Sequence, residues 1–287
     1  MRRAIWRLLP DVRPVPKTTS EARSGNIDCS RLEKENINGL LTKHQMEFIL
    51  CVSAGASFAL SAFLVPVGAY CVMTSLHRDR TTLPLAAIPW LFAVQQLSEG
   101  LVWVGIDRGN VFLTNSAAVV YLFFALMFWL IWIPLCALAL ESRRRIRIVL
   151  ELDTIVGLAG GLLIFLPIAL YPQFLEVTVV RHSISYGIPQ SPALTAMPQF
   201  VWHTAYVGVV SLPFVLVAHK RKSLIAFSLA MLSSAVFSHI NFWYSFASVW
   251  CFFAASISIL LGLMFHTLPY QFGRGCALST SSPVIRI

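Results

Sequence analysis

Seven long, mostly apolar stretches set the limits on what this chain can fold into. They lie at about 47–76, 83–106, 112–140, 148–170, 199–218, 223–243 and 245–268. A helix rises 1.5 Å per residue, so each stretch is long enough to cross a hydrocarbon core about 30 Å thick. A soluble core would show stripes of helical or strand period instead. A transmembrane barrel would show short alternating segments. Composition agrees: 57% of the residues are hydrophobic and 12% charged, against about 25% charged in a soluble domain. The fold class is therefore all-α, a polytopic membrane protein built as a bundle of seven transmembrane helices in a lipid bilayer. The first and third stretches have length to spare and are expected to tilt or extend past the interface.

The remaining residues divide into tails and loops. Residues 1–46 are polar and carry nine Lys or Arg residues. MRRAIWRLLP opens like a signal peptide, but Asp11 and Pro14 end its apolar region too early. The segment reads as a disordered basic tail, or as sequence upstream of a true start at Met46. Residues 47–268 form the seven-helix domain, and the Ser-rich 269–287 a flexible tail. Loop 171–198 is the one long connection, with Pro172, Pro189, Pro192 and three aromatics; it reads as a folded-back surface loop.

Loop charge orients the bundle. One side holds Arg78, Arg80, Arg143, Arg144, Arg145, Arg147, Lys220, Arg221, Lys222, Arg274 and Arg286, while the opposite loops hold only Arg108 and Arg181. The positive-inside rule then puts the N-terminus outside and the C-terminus in the cytoplasm of a cell with an inner membrane. The N-terminal tail argues the other way, but only Arg31, Lys34 and Lys43 lie near the first helix. The net charge of +9 sits in these flanks, and no soluble basic face offers itself to nucleic acid.

Against this background the run LFAVQQLSEGLVWVGI, Leu91 to Ile106, is anomalous. Gln95, Gln96 and Glu99 are three and four residues apart and share a helical face, with Trp103 one turn further on. An ionisable group inside a membrane helix marks a functional site by default. The orientation puts Glu99 in the outer third of its helix. It puts His203, near the start of the fifth helix, and His239, near the end of the sixth, about one turn below the same surface. Ser53 and Ser57 fall at that level too, as do Asn241, Tyr244, Ser245 and Ser248 around the last turn. The expectation is an outward-facing polar pocket for a small ligand, ion or lipid head group, lined by Gln95, Gln96, Glu99, His203, His239, Tyr244 and Ser248. A carboxylate and two histidines also match a divalent-metal set, so Glu99, His203 and His239 are candidate metal ligands converging within about 10 Å by the reach of facing helices. The alternative is a hydrogen-bonded network that only fixes helix orientation.

Other features read as structural. Gly157 and Gly161, four apart, suit close packing within the bundle. Arg147 and Glu151 suit an ion pair at a helix start. Trp90, Trp103, Trp129, Trp132, Trp202 and Trp243 mostly sit near segment ends, as aromatic belts do, and Trp250 fits that pattern less well. His182 and Tyr186 in the long loop are placed to cap the pocket. The six cysteines show no CxxC and no paired spacing, which argues against a disulfide framework or zinc knuckle. No Walker loop, nucleophile elbow or dinucleotide fingerprint occurs.

Three blocks carry a resemblance: CVSAGASF (Cys51 to Phe58), LPLAAIPWLFAVQQLSEGLVW (Leu83 to Trp103) and FWYSFASVWCFFAA (Phe242 to Ala255). Together they resemble a family of bacterial multi-pass membrane proteins known only as a domain of unknown function, over about residues 46–270. Val52 departs from the Phe of that pattern. The resemblance implies a membrane location and this fold, and implies no reaction. A seven-helix topology with polar groups on several helices also resembles the ceramidase-like membrane hydrolases. The last helix here has only His266 where that family carries two histidines four apart, so the pattern is not met. A metal-dependent hydrolase acting on lipid, a transporter, and a sensor or scaffold without catalysis stand as alternative functions.

Overall fold

Each apolar stretch becomes a helix in the computed structural model, which describes residues 53–180, 182–187, 199–217 and 222–267. The N-terminal tail with Met46, the start of the first stretch, much of the long loop, Lys220, Arg221 and the C-terminal tail lie outside the described residues. All described residues belong to one unit, Glu47–Ile287. Among them, seven helices are long and apolar enough to cross a membrane. They are α1 (Ala54–Arg78), α2 (Arg80–Asp107), α3 (Val111–Leu140), α4 (Arg144–Leu170), α5 (Gln199–Val217), α6 (Lys222–Asn241) and α7 (Trp243–His266). The chain is an all-α multi-pass membrane protein.

Local chemistry sets the helix ends. Ser53 Oγ accepts from the N–H of Ala56 at 3.3 Å and starts α1, as an N-cap serine does. Gly109, at φ +62°, ends α2 in a Schellman arrangement. The N–H of Asn110 reaches Gly105 O at 2.9 Å and that of Gly109 reaches Ile106 O at 3.0 Å. Asn110 then caps α3 by accepting from the N–H of Leu113 at 3.0 Å. This two-residue junction brings α3 back along α2, where Gly105 lies so close to Thr114 that a side chain would not fit.

The second, seventh and third helices are the most buried, and the first packs against the second. Ser61 Oγ donates to Ala93 O at 2.7 Å. Gly68 packs on Trp90, and Gly100 on the Phe58 ring, both too closely to admit a Cβ. These contacts make α1 and α2 antiparallel. Arg78 Nη1 donates to Phe265 O at 3.4 Å, so α1 and α7 run parallel and the first and last helices touch. The most apolar part of α2 is 67% buried and that of α4 only 17%. Polar α2 thus sits centrally, while α4 turns Leu152, Ile155 and Leu163 outward toward lipid.

A π-helical turn at Phe124–Phe128 interrupts α3. Such turns loosen the backbone ladder, and here the Tyr206 hydroxyl of α5 donates to Ala125 O. The α4 glycines pack on this region. A Cβ on Gly157 would overlap Leu130 O, and one on Gly161 would lie 3.0 Å from Met127 Cα. They serve close packing inside the bundle.

The expected pair of Arg147 and Glu151 is present at 3.9 Å, largely exposed, a geometry worth little. Arg147 Nη1 also donates to Leu138 O and Glu141 O, each at 3.1 Å, and satisfies carbonyls at the end of α3. Trp103 and Trp129 are core residues rather than the expected belt residues, Trp250, which fitted the belt less well, is core too, and Trp90 and Trp243 are exposed. The long loop contains an antiparallel hairpin, β1 (Glu176–Val180) and β2 (Ser183–Gly187). Its first strand, EVTVV, is rich in the β-branched residues that favour strands. His182, at the turn, takes φ +62° and is exposed.

Candidate functional site

α2 delivers its polar face to the centre of the bundle. Gln95, Gln96 and Glu99 are each 0% exposed. Gln95 Oε1 accepts from Trp129 Nε1 at 2.7 Å, which ties α2 to α3. The Ser248 hydroxyl donates to Glu99 Oε1 at 2.5 Å, which ties α2 to α7. The second oxygen, Glu99 Oε2, has no partner, and neither do Gln95 Nε2, either amide atom of Gln96, Trp103 Nε1 or Ser57 Oγ. Gln96 lies alongside the carboxyl without reaching hydrogen-bond geometry. Buried polar groups are nearly always satisfied in native proteins, so this concentration of orphans on one helix face is exceptional.

The histidines form a separate feature at the same end. His203 Nδ1 and His239 Nδ1 are 2.9 Å apart, with their rings edge to face at 5.0 Å and 85°. His203 also stacks on Phe246 at 4.2 Å and 21°. An N–H···N bond needs one donor and one acceptor, so one of the two Nδ1 atoms carries no proton. Phe246 precedes Ser248 by two residues, and this first turn of α7 joins the histidine pair to the Glu99 cluster. Among the described residues no three His, Cys, Asp or Glu side chains stand close enough to hold a metal ion. Glu99, His203 and His239 therefore do not form the expected ligand set.

The hairpin closes this end. Ser183 Oγ donates to Ser245 Oγ at 2.7 Å, and Ser185 Oγ to Tyr244 O at 2.9 Å. Tyr186 stacks on Tyr121 at 5.2 Å and 18°, and the Tyr121 hydroxyl donates to Ala247 O at 2.9 Å. Burial pushes the Tyr186 hydroxyl well above its ordinary range, with nearby Glu99 and Cys251 adding to the shift. The phenol stays protonated, and its oxygen has no partner.

Below the hairpin a cavity of about 530 Å³ opens between α3, α4, α5 and α7. His203, Tyr244, Ser185 and Tyr186 line its upper part. Leu126, Leu130, Val156, Ile164 and Val209 line the deeper part. Of the residues expected in one pocket, His203 and Tyr244 line this cavity. Gln95, Gln96, Glu99 and Ser248 lie behind it in the interior, and His239 backs His203.

The family model for a family of unknown function, DUF6629, matches residues 50–270. The chain belongs to this family. All three sequence blocks fall inside the match. No curated protein and no solved structure shows significant similarity to the chain. The DUF6629 match covers α1 to α7 and the hairpin, so both the cavity and the Glu99 cluster are built from family residues.

Four residues of this end escaped the sequence reading: Tyr121, Trp129, Tyr206 and Cys251. Tyr206 was open to detection, because it stands three residues after His203 and shares its face. Cys251 resembled any small apolar residue, and Tyr121 and Trp129 gave no periodic signal inside an apolar run.

Proposed function

We propose that the chain binds a membrane lipid or a similar amphipathic molecule, with the head group at His203 and Tyr244 and an apolar tail between α4 and α5. The observation that carries this reading is the cavity's gradient. Its upper lining sets His203, Tyr244, Ser185 and Tyr186 among the rings of Trp202, Trp243 and Phe246, and its deeper lining is aliphatic, in a volume of about 530 Å³ that falls within the usual range for ligand sites. Gly160 of α4 lines it, and a Cβ there would meet nothing within 4 Å. The wide wall follows from that missing side chain. In this reading His239 sets the tautomer of His203 through their shared hydrogen bond. Loop charge supports placing this end at the outer face of an inner membrane, with the C-terminus in the cytoplasm.

The test is native mass spectrometry of the purified protein and of Gly160→Leu, which puts a bulky side chain into the cavity from a position where a Cβ meets no neighbour. The wild type is expected to retain lipid and the variant to lose most of it. Wild-type protein free of lipid, or equal retention by the variant, would overturn the reading.

A further inference from the structure

The Glu99 cluster is a second site, behind the cavity and enclosed by α1, α2 and α7. We propose that it binds a monovalent alkali cation, sodium or potassium, through Glu99, Gln96 and Ser57. Three oxygens there are buried and unpartnered: Glu99 Oε2, Gln96 Oε1 and Ser57 Oγ. All three residues are 0% exposed. Their level is set by the antiparallel contacts of α1 and α2. Ser61 bonds Ala93 O, and Phe58 packs on Gly100. Ser57, one turn beyond Ser61, therefore faces the stretch from Gln96 to Gly100. Ser248 occupies Glu99 Oε1 and leaves Oε2 open.

The donor chemistry selects the ligand. Carboxylate, amide and hydroxyl oxygens suit hard cations, and no thiolate or imidazole adds to the set. Charge selects the valence. Among the described residues, the ion pairs join Arg143 to Glu141 and Arg147 to Glu151, and none reaches Glu99. An ionised carboxylate buried without a counter-charge is costly. One positive charge makes the site neutral, while a divalent ion would leave an excess that the interior disfavours. A proton alone would neutralise the carboxyl and let it donate to Gln96 Oε1 beside it, but would leave Ser57 Oγ without a partner. The orphaned amide nitrogens of Gln95 and Gln96 then face water in the ion's shell, as buried polar groups commonly do.

None of the three ligands lines the lipid cavity, so this inference stands apart from the lipid reading. The test follows thermal unfolding of the purified full chain in detergent. N-methylglucamine chloride is replaced stepwise by sodium or potassium chloride at constant ionic strength. One alkali ion is expected to raise Tm by about 5 °C at a hundred times its dissociation constant. Glu99→Gln and Ser57→Ala should flatten that response while still retaining lipid in mass spectra. If Glu99→Gln does not fold, Ser57→Ala carries the comparison. A wild type that responds to neither ion more than to N-methylglucamine would overturn the proposal. So would a folded variant that responds as the wild type does, which would leave the cluster holding water alone.

Discussion

The two ends of α2 both bury polar side chains, and they do so in opposite ways. At the basic end, Asp79 Oδ1 accepts from the Thr81 N–H at 3.0 Å and from its hydroxyl at 2.6 Å. Thr82 Oγ1 donates to Asp79 O at 2.7 Å, and Ser75 Oγ meets both Asp79 O and Thr82 Oγ1 at 3.0 Å. Ser75 and Thr82 are fully buried, and their hydroxyls are satisfied. At the other end, Glu99, Gln96 and Ser57 are equally buried and keep open valences. A closed network acts as interhelical glue. An open one is shaped for something the chain itself does not provide.

Mutations should separate the two ends. The largest effect is expected from Ser75→Ala combined with Thr82→Val, which dismantles the closed network. It should cost about 2 kcal/mol in denaturant unfolding of the detergent-solubilised protein. A cost near zero would erase the contrast. Gln95→Leu comes next. It leaves Trp129 Nε1 buried without its acceptor and should cost about 1.5 kcal/mol.

Third is a pH effect at the basic end. Burial alone would raise Glu141, but the N–H groups of Arg143 and Ser142 and the Arg143 guanidinium bring it from 4.5 down to about 2. Its folded value is depressed, so its stabilisation is present above about 4.5 and fades as pH falls toward 2. Tm should drop over that window in the wild type and less so in Glu141→Gln. Parallel curves would show that Glu141 contributes no such stabilisation. The smallest effect is expected from Glu99→Gln in N-methylglucamine. Its Oε1 still accepts from Ser248, and Oε2 has no protein partner to lose, so stability should change by about 0.5 kcal/mol or less.

The sequence shows most of the fold because lipid imposes length. A helix must be apolar for its whole crossing, so α1 to α7 stand out within a few residues of their ends. Glu99 stands out for the same reason, since a carboxylate in an apolar run breaks the rule. Helix rotation is harder to read. A helix that is apolar all round has no face to predict. His203 and His239 could therefore be placed at the right level yet not turned toward each other rather than toward Glu99. Trp103 and Trp129 misled in the same way, because little in an apolar run distinguishes a core indole from one at the interface. The hairpin was missed although EVTVV carries a β-branched signal, because two five-residue strands are short and SISYG has a single β-branched residue to mark it as the partner.

The bond between Glu99 and Ser248 spans 149 residues, which gives it a history as well as a geometry. Chains grow at about 5–20 residues per second. The second helix therefore leaves the ribosome on the order of ten seconds before the hydroxyl that will meet its carboxyl. During that interval the early hairpin of helices carries an uncapped acid into the bilayer, and only the arrival of the last helix completes its surroundings. Biogenesis must shelter that acid until translation ends, so the order of synthesis runs against the order of need.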